Sequence, residues 1–118
     1  NDTTIGWFHG SPNDIRSDEE IRDTRKAVLE ITGGTADTIH DDLIRAAFLS
    51  SARLAIAPMQ DYLGLGSDAR INTPGTSKDN WRWRVQPGQL SASLCAHVAA
   101  MVRESGRALH NRKPGIWE

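Results

Sequence analysis

The residues best equipped for chemistry gather between Gln60 and Arg84, in the stretch QDYLGLGSDARINTPGTSKDNWRWR. Two of its carboxylates, Asp61 and Asp68, lie just beyond the apolar run Leu54–Met59, and Asp2 adds another near the start of the sequence. In parallel α/β folds the active site sits at the C-terminal ends of the strands, so carboxylates just after such a run are placed for acid, base or nucleophilic work. Gln60, Asp61 and the loop to Asn80 are the first functional candidates, and an Asp68–Arg70 pair that only braces the loop is the plainer alternative. The same stretch opens Gly64-x-Gly66-x-x-Ala69, the outline of a phosphate-binding turn. A dinucleotide site needs those glycines directly after a strand and at the start of a helix, whose N-terminus holds the pyrophosphate. Here Gln60-Asp61-Tyr62 intervene before them and Ile71-Asn72-Thr73-Pro74-Gly75 stand where the helix should run, so the glycines read as tight turns. NWRWRV, at 80–85, interleaves Trp81 and Trp83 with Arg82 and Arg84, which suits stacking on bases or sugar faces. The same alternation also describes a short extended segment that buries Trp81, Trp83 and Val85 on one side.

Other chemistry is thin. His9, His40, His97 and His110 are far apart and lack metal-ligand spacing, so no metal is expected. Ser93, Cys95 and His97 alternate within a helical pattern and would point in different directions; Cys95 reads as a small core residue.

The elements that must position these groups follow from pattern and punctuation. SDEEIRDTRKAVLEI, at 17–31, predicts a helix with Ser17 as N-cap, Glu20 closing a capping box, an acidic first turn and a Gly33-Gly34 stop. Its apolar stripe is thin, which predicts a surface helix. Thr38 with Asp41 repeats the start signal, and Ile39, Leu43, Ile44, Ala46 and Ala47 continue at helical spacing to about Ser51. RLAIAPM then gives an unalternating apolar segment of strand length, as in a parallel strand covered on both faces, with Pro58 arguing against helix. Leu90, Leu94, Cys95, Val98, Met101 and Val102 mark a last helix over 90–105, with Gly106 at C′. The HNRKPGIWE tail is polar apart from Ile116 and Trp117. The order is loop, helix, helix, strand, long loop, helix. One strand cannot make a sheet, so the sequence is expected to be part of a larger α/β fold.

At 118 residues the chain is one domain at most. With 38% hydrophobic residues and a net charge of −1, it has no basic excess announcing nucleic acid and no acidic block announcing a disordered tail. The single cysteine excludes an internal disulfide and fits a reducing compartment. No apolar run approaches the ~18 residues of a membrane helix, so no membrane partner is expected.

Four blocks resemble a known family: N-D-T-T-x-G-W at 1–7, P-M-Q-D-x-L-G-L-G-S-D-A-R-x-N at 58–72, P-G-T at 74–76 and N-W-R-W-R at 80–84. They are similar to the 4-α-glucanotransferases, also called amylomaltases or disproportionating enzymes, which are relatives of the α-amylases. The resemblance spans residues 1–108; the PGIWE tail carries none of it. It implies an α/β fold in which 1–118 is the C-terminal fragment of one catalytic (β/α)8 TIM barrel. Asn1 would lie just beyond strand 7, residues 17–52 would form the connecting helices, 54–59 strand 8 and 90–105 the closing helix. The long loop would line the cleft for an α-1,4-glucan chain.

The resemblance further implies retaining double displacement between maltooligosaccharides, with an Asp nucleophile, a Glu acid/base and a second Asp that stabilises the distorted sugar. The first two would belong to upstream strands. The third belongs to a T-H-D-N-D segment whose N-D corresponds to Asn1-Asp2, so it would directly precede Asn1, and Asp2 is not that residue. The chain alone is therefore expected to be inactive. Asn72 matches the Asn of the family's R-M-N-x-P-G segment and is implied to bind substrate, since an amide can both donate to and accept from sugar hydroxyls. Ile71 replaces the usual Met, and Asp79 stands where Gly commonly precedes N-W. The implied partners are maltooligosaccharide, starch or glycogen chains and the remainder of the barrel; no cofactor is implied, and the implied location is the cytoplasm, or the plastid in a plant. The rival reading is a noncatalytic module that uses Trp81, Trp83 and Arg84 to hold carbohydrate or single-stranded nucleic acid.

Overall fold

The computed structural model describes residues 2–108. Asn1, with the expected end of strand 7, and the tail from 109 to 118, with His110, Ile116 and Trp117, lie outside the described residues. Along the chain come α1 (Thr4–His9), α2 (Asp18–Thr32), α3 (Ile39–Leu49), the single turn α4 (Met59–Tyr62), a 3-10 turn (Ser67–Ala69) and α5 (Ala92–Glu104). No strand occurs among the described residues.

The expected helix over 17–31 forms by the local chemistry that predicted it. Ser17 Oγ accepts from Glu20 N at 3.2 Å and the Glu20 carboxylate accepts from Ser17 N at 2.7 Å, so two orphan donors are satisfied reciprocally. Gly33, at φ +68°, closes α2 in the left-handed conformation that a residue with Cβ resists. None of its side chains is fully buried, as its thin stripe foretold.

Helix α3 also forms, but not with the expected cap. Thr38 has a helical backbone and makes no side-chain cap; its hydroxyl donates to Asp42 and accepts from Thr35 N instead. Asp41 turns to α5, where His97 Nε2 lies 2.6 Å from its Oδ1. Ile44, Phe48 and Met101 form the core cluster between α3 and α5. Just after α5, Gly106 adopts φ +71° at C′ and directs Arg107 back to the end of α3. There Arg107 donates to the carbonyls of Phe48, Ser50 and Ala52 at 2.6, 3.2 and 2.8 Å, closing the helix end whose last carbonyls have no intrahelical partner.

Two expectations are corrected. Residues 54–59 are not a strand: Met59 already belongs to α4, and the segment before it is extended but unpaired. A strand exists only through ladder hydrogen bonds to neighbours, and among the described residues there is none to make them. The side chains nevertheless alternate. Ala55 and Ala57 pack on the Ile44–Phe48–Met101 cluster, while Leu54 and Ile56 are 74% and 82% exposed. Cys95 is exposed rather than in the core, because the apolar stripe of α5 is covered by α3 only along the side that carries Met101.

Helix α1 was not foreseen. Its six residues include a glycine, yet Thr3 Oγ1 accepts from Gly6 N at 3.1 Å and Phe8 is buried beneath it.

Candidate functional site

The segment after the extended run folds around two buried polar side chains of α4. Asp61 Oδ1 accepts from Thr4 N at 2.7 Å, placing a carboxylate at the N-terminus of α1. Gln60 Nε2 donates to Ala69 O at 3.0 Å, while the Gln60 backbone carbonyl accepts from Leu65 N at 2.9 Å. The Gly64 turn, at φ +63°, fits because a Cβ there would come within 3.0 Å of His40 Nε2. The glycines therefore make a tight turn rather than a phosphate cradle, and they lead into a 3-10 turn and a loop instead of a helix.

That turn delivers Arg70 and Asn72 to the start of α1. Asp2 Oδ2 accepts from Ser67 Oγ at 2.8 Å and lies 3.6 Å from Arg70 Nη1; Asp2 Oδ1 accepts from Thr3 N at 2.8 Å. Gly6 makes this approach possible, since a Cβ there would collide with Ser67 Oγ and with the Asp2 carboxylate. The alternative of a bracing pair is met with another partner than Asp68: Asp68 is exposed and Arg70 is turned to Asp2. Arg70 Nε also donates to Asn72 O at 3.1 Å.

Beyond Asn72 the loop closes on itself. Asn80 Oδ1 accepts from Thr73 N at 2.8 Å, its Nδ2 donates to Thr76 O at 3.0 Å, and Trp81 N donates to Ile71 O at 2.6 Å. Asp79 and Trp81 hold φ values of +60° and +61°. The first is where the resemblance expects glycine, and a left-handed backbone is the reason glycine suits it. The second is an outlier for so bulky a residue. Trp81 is 70% exposed and Val85 is exposed too, so the expected buried face of Trp81, Trp83 and Val85 does not form. Arg82 pairs with Asp79, and Arg84 donates to the carbonyls of Trp81 and Trp83.

The outcome is a cleft of about 240 Å³ lined by Asp2, Gln60, Arg70, Ile71, Asn72 and Trp81. Of the sequence candidates, Asp2, Gln60, Asn72 and Trp81 meet here, whereas Asp68 does not line it. Asp61 is buried just behind it, capping α1. The Asn72 amide makes no hydrogen bond to a described residue. A second cleft, about 500 Å³, lies on the other side of Asp2 and Arg70 and includes Trp7, Asp14 and Arg16. The Arg16 guanidinium lies 5.3 Å from the Trp7 ring centre and donates to Trp7 O and to Asp14. That hydrogen bond holds the Asp14 carboxyl down at about 2. Arg70 was missed as a site residue because its partner Asp2 is remote in sequence; its alternation with Asn72 was the available signal. Among the described residues no three His, Cys, Asp or Glu side chains are grouped to hold a metal ion.

Comparison with known proteins agrees with the resemblance. A family model described as 4-alpha-glucanotransferase, of glycoside hydrolase family 77, matches residues 1–91. A 4-alpha-glucanotransferase of Synechocystis is 42% identical over 112 residues, covering 94% of this chain and 20% of the relative. One from Thermus thermophilus is 37% identical over 108 residues, covering 91% of this chain and 21% of the relative. A chloroplastic/amyloplastic 4-alpha-glucanotransferase of Arabidopsis thaliana is 46% identical over 85 residues, covering 72% of this chain and 13% of the relative. The chain spans about a fifth of the length of the two bacterial relatives. With its motifs gathered around one cleft and the family model covering most of its length, the chain belongs to the 4-alpha-glucanotransferase family.

Proposed function

We propose that this chain forms one wall of the glucan cleft in an enzyme that transfers α-1,4-glucan segments between maltooligosaccharides, and that Asn72 binds the reacting sugar. The observation that carries the reading is the convergence of Asp2, Arg70, Asn72 and Trp81 on one cleft beyond the C-terminal end of the extended segment. Barrel enzymes place their chemistry on that face. The alternation of Ala55 and Ala57 against the helices, with Leu54 and Ile56 turned away, supports this segment as the eighth strand of a (β/α)8 barrel, its ladder partners supplied by the rest of the barrel.

The chemistry in this reading is retaining double displacement. A carboxylate attacks the anomeric carbon, a carboxylic acid protonates the departing glycosidic oxygen, and a glucan hydroxyl then replaces the enzyme carboxylate. These two carboxyl groups and the carboxylate that steadies the flattened sugar belong, in this reading, to parts of the enzyme other than the present chain. The Asn72 amide donates to one sugar hydroxyl and accepts from another, and it lowers the barrier only so far as those bonds strengthen when the ring flattens. The exposed Trp81 ring offers an apolar face for a sugar. The Arg82 and Arg84 guanidiniums already have partners, which favours a neutral ligand over a phosphate chain. The enzyme works in the cytoplasm, or in the plastid if its source is a plant.

The test is Asn72→Ala in the complete polypeptide that carries this chain. Turnover of maltotriose is expected to fall roughly 10²-fold, about 3 kcal/mol of transition-state stabilisation, with the melting temperature little changed. Near-normal turnover with a lowered melting temperature makes Asn72 a turn-forming residue and overturns the assignment. The 118-residue chain by itself should yield neither glucose nor longer oligosaccharides from maltotriose.

A further inference from the structure

We infer that Arg70, anchored by Asp2, is the positioning residue that sets the Asn72 amide in the cleft, an inference that rests on the reading of Asn72 just given. Both side chains of the pair are withdrawn from solvent, Arg70 at 14% and Asp2 at 8% exposure. Their separation of 3.6 Å makes them an ion pair rather than a hydrogen-bonded one, so the charge draws the guanidinium in while its Nε remains free to direct a bond elsewhere. That bond goes to the carbonyl of Asn72 itself, at 3.1 Å.

Asp2 is a well-held anchor. Its two oxygens also take the Ser67 hydroxyl and the Thr3 amide, and the missing Cβ of Gly6 gives its carboxylate the space it occupies. The peptides on either side of Asn72 are held as well: Ile71 O receives Trp81 N, and Thr73 N is bound by Asn80. Arg70 supplies the remaining tie, at the Asn72 carbonyl. Three successive residues are thereby pinned, two by the adjacent Asn80 and Trp81 and one by Arg70, while the amide between them lines the cleft without a partner among the described residues.

The planar fork matters here. Arginine presents Nε–H and Nη–H in fixed directions, so one side chain can face the Asp2 carboxylate and the Asn72 carbonyl together. A lysine at the same position keeps the charge but has one nitrogen to divide between them. Asp2 and Arg70 also line both clefts, so the pair is the partition between them and any movement of it displaces the Asn72 wall.

The experiment is a double-mutant cycle in the complete polypeptide, with maltotriose as substrate and turnover, KM and melting temperature recorded for each variant. Arg70→Lys is expected to lower kcat about tenfold or more with KM within about twofold and the melting temperature nearly unchanged. The Arg70→Lys/Asn72→Ala double variant is expected to be no slower than Asn72→Ala alone, because a residue that acts through Asn72 has nothing left to act on. Multiplicative losses, or normal turnover in Arg70→Lys, overturn the inference while leaving Asn72 in place. Normal turnover in Asn72→Ala instead removes the reading of the site on which the inference stands. Should Arg70→Lys fail to fold, Asp2→Asn, which removes the charge and keeps the shape, goes through the same cycle with the same expected and overturning outcomes.

Discussion

Arg16 joins three things at once: the Asp14 carboxylate, the carbonyl of Trp7 and the face of the Trp7 ring. Its consequence for pH follows from sign. The folded-state value of Asp14 is lowered from 3.8 to about 2, chiefly by the hydrogen bond from Arg16, so the pair contributes fully above about 3.8 and is lost as pH falls through about 2. A carboxyl titration of Asp14 by NMR should give a midpoint near 2, and Arg16→Gln should return it to the ordinary range; a wild-type midpoint near 3.8 would refute the pairing. Other residues show where sequence reading stops. Asn72 was legible only through the resemblance, because nothing in its local pattern sets it apart from a turn asparagine. Arg70 was not legible, because the charge that draws it in lies at the other end of the chain. The left-handed backbone of Asp79 agrees with the glycine expected there, and holding a residue with a Cβ in that conformation costs about 1 kcal/mol.

Elements governed by their own residues were readable. The capping box of α2, its acidic first turn and its glycine stop act within a few positions, so the sequence and the structure agree almost residue for residue. The Gly106 that ends α5 is of the same kind, whereas the Ser91 cap was not foreseen and starts the helix at Ala92 rather than at 90. Elements defined by distant partners were not readable. The run at 54–59 has a strand's composition and, in the structure, side chains that alternate, but pairing depends on neighbours that no local pattern supplies. Helix α1 escaped notice for the converse reason: six residues containing glycine are weak by propensity, and burial of Phe8 with the Asp61 carboxylate at its N-terminus stabilises them from outside. The same dependence on remote contacts appears where Arg107 closes α3. Arg107→Ala should reduce protection of the last-turn amides of α3 against hydrogen exchange about tenfold, or ~1.4 kcal/mol of local opening. Unchanged protection would mean that water satisfies those carbonyls equally well.

At the scale of the whole chain, apolar surface is left over. Among the described residues Phe8, Ile39, Ile44, Phe48, Ala69 and Met101 are the buried hydrophobic ones, while Leu54, Ile56, Met59 and Leu90 stand exposed. A groove of about 460 Å³ runs between α4 and α5, lined by Met59, Tyr62, Leu94 and Val98 among others. Contiguous surface of this kind, next to an extended backbone with open hydrogen-bonding edges, favours association over a monomeric native state. The isolated chain is therefore expected to self-associate at micromolar concentration and to lose near-UV and far-UV circular dichroism at different temperatures. One sharp transition common to both signals, in a species that sediments as a monomer, would contradict this.

The placement of Cys95 turns that groove into something that can be timed. It is the sole cysteine of the sequence, and it lies exposed on the groove wall. A thiol-specific reagent added to the chain therefore labels one known atom, with no competing site to correct for. The rate of that labelling is a clock for how long the groove stays open to water. Whatever polypeptide comes to lie across α5 slows the clock in proportion to the fraction of time it remains there.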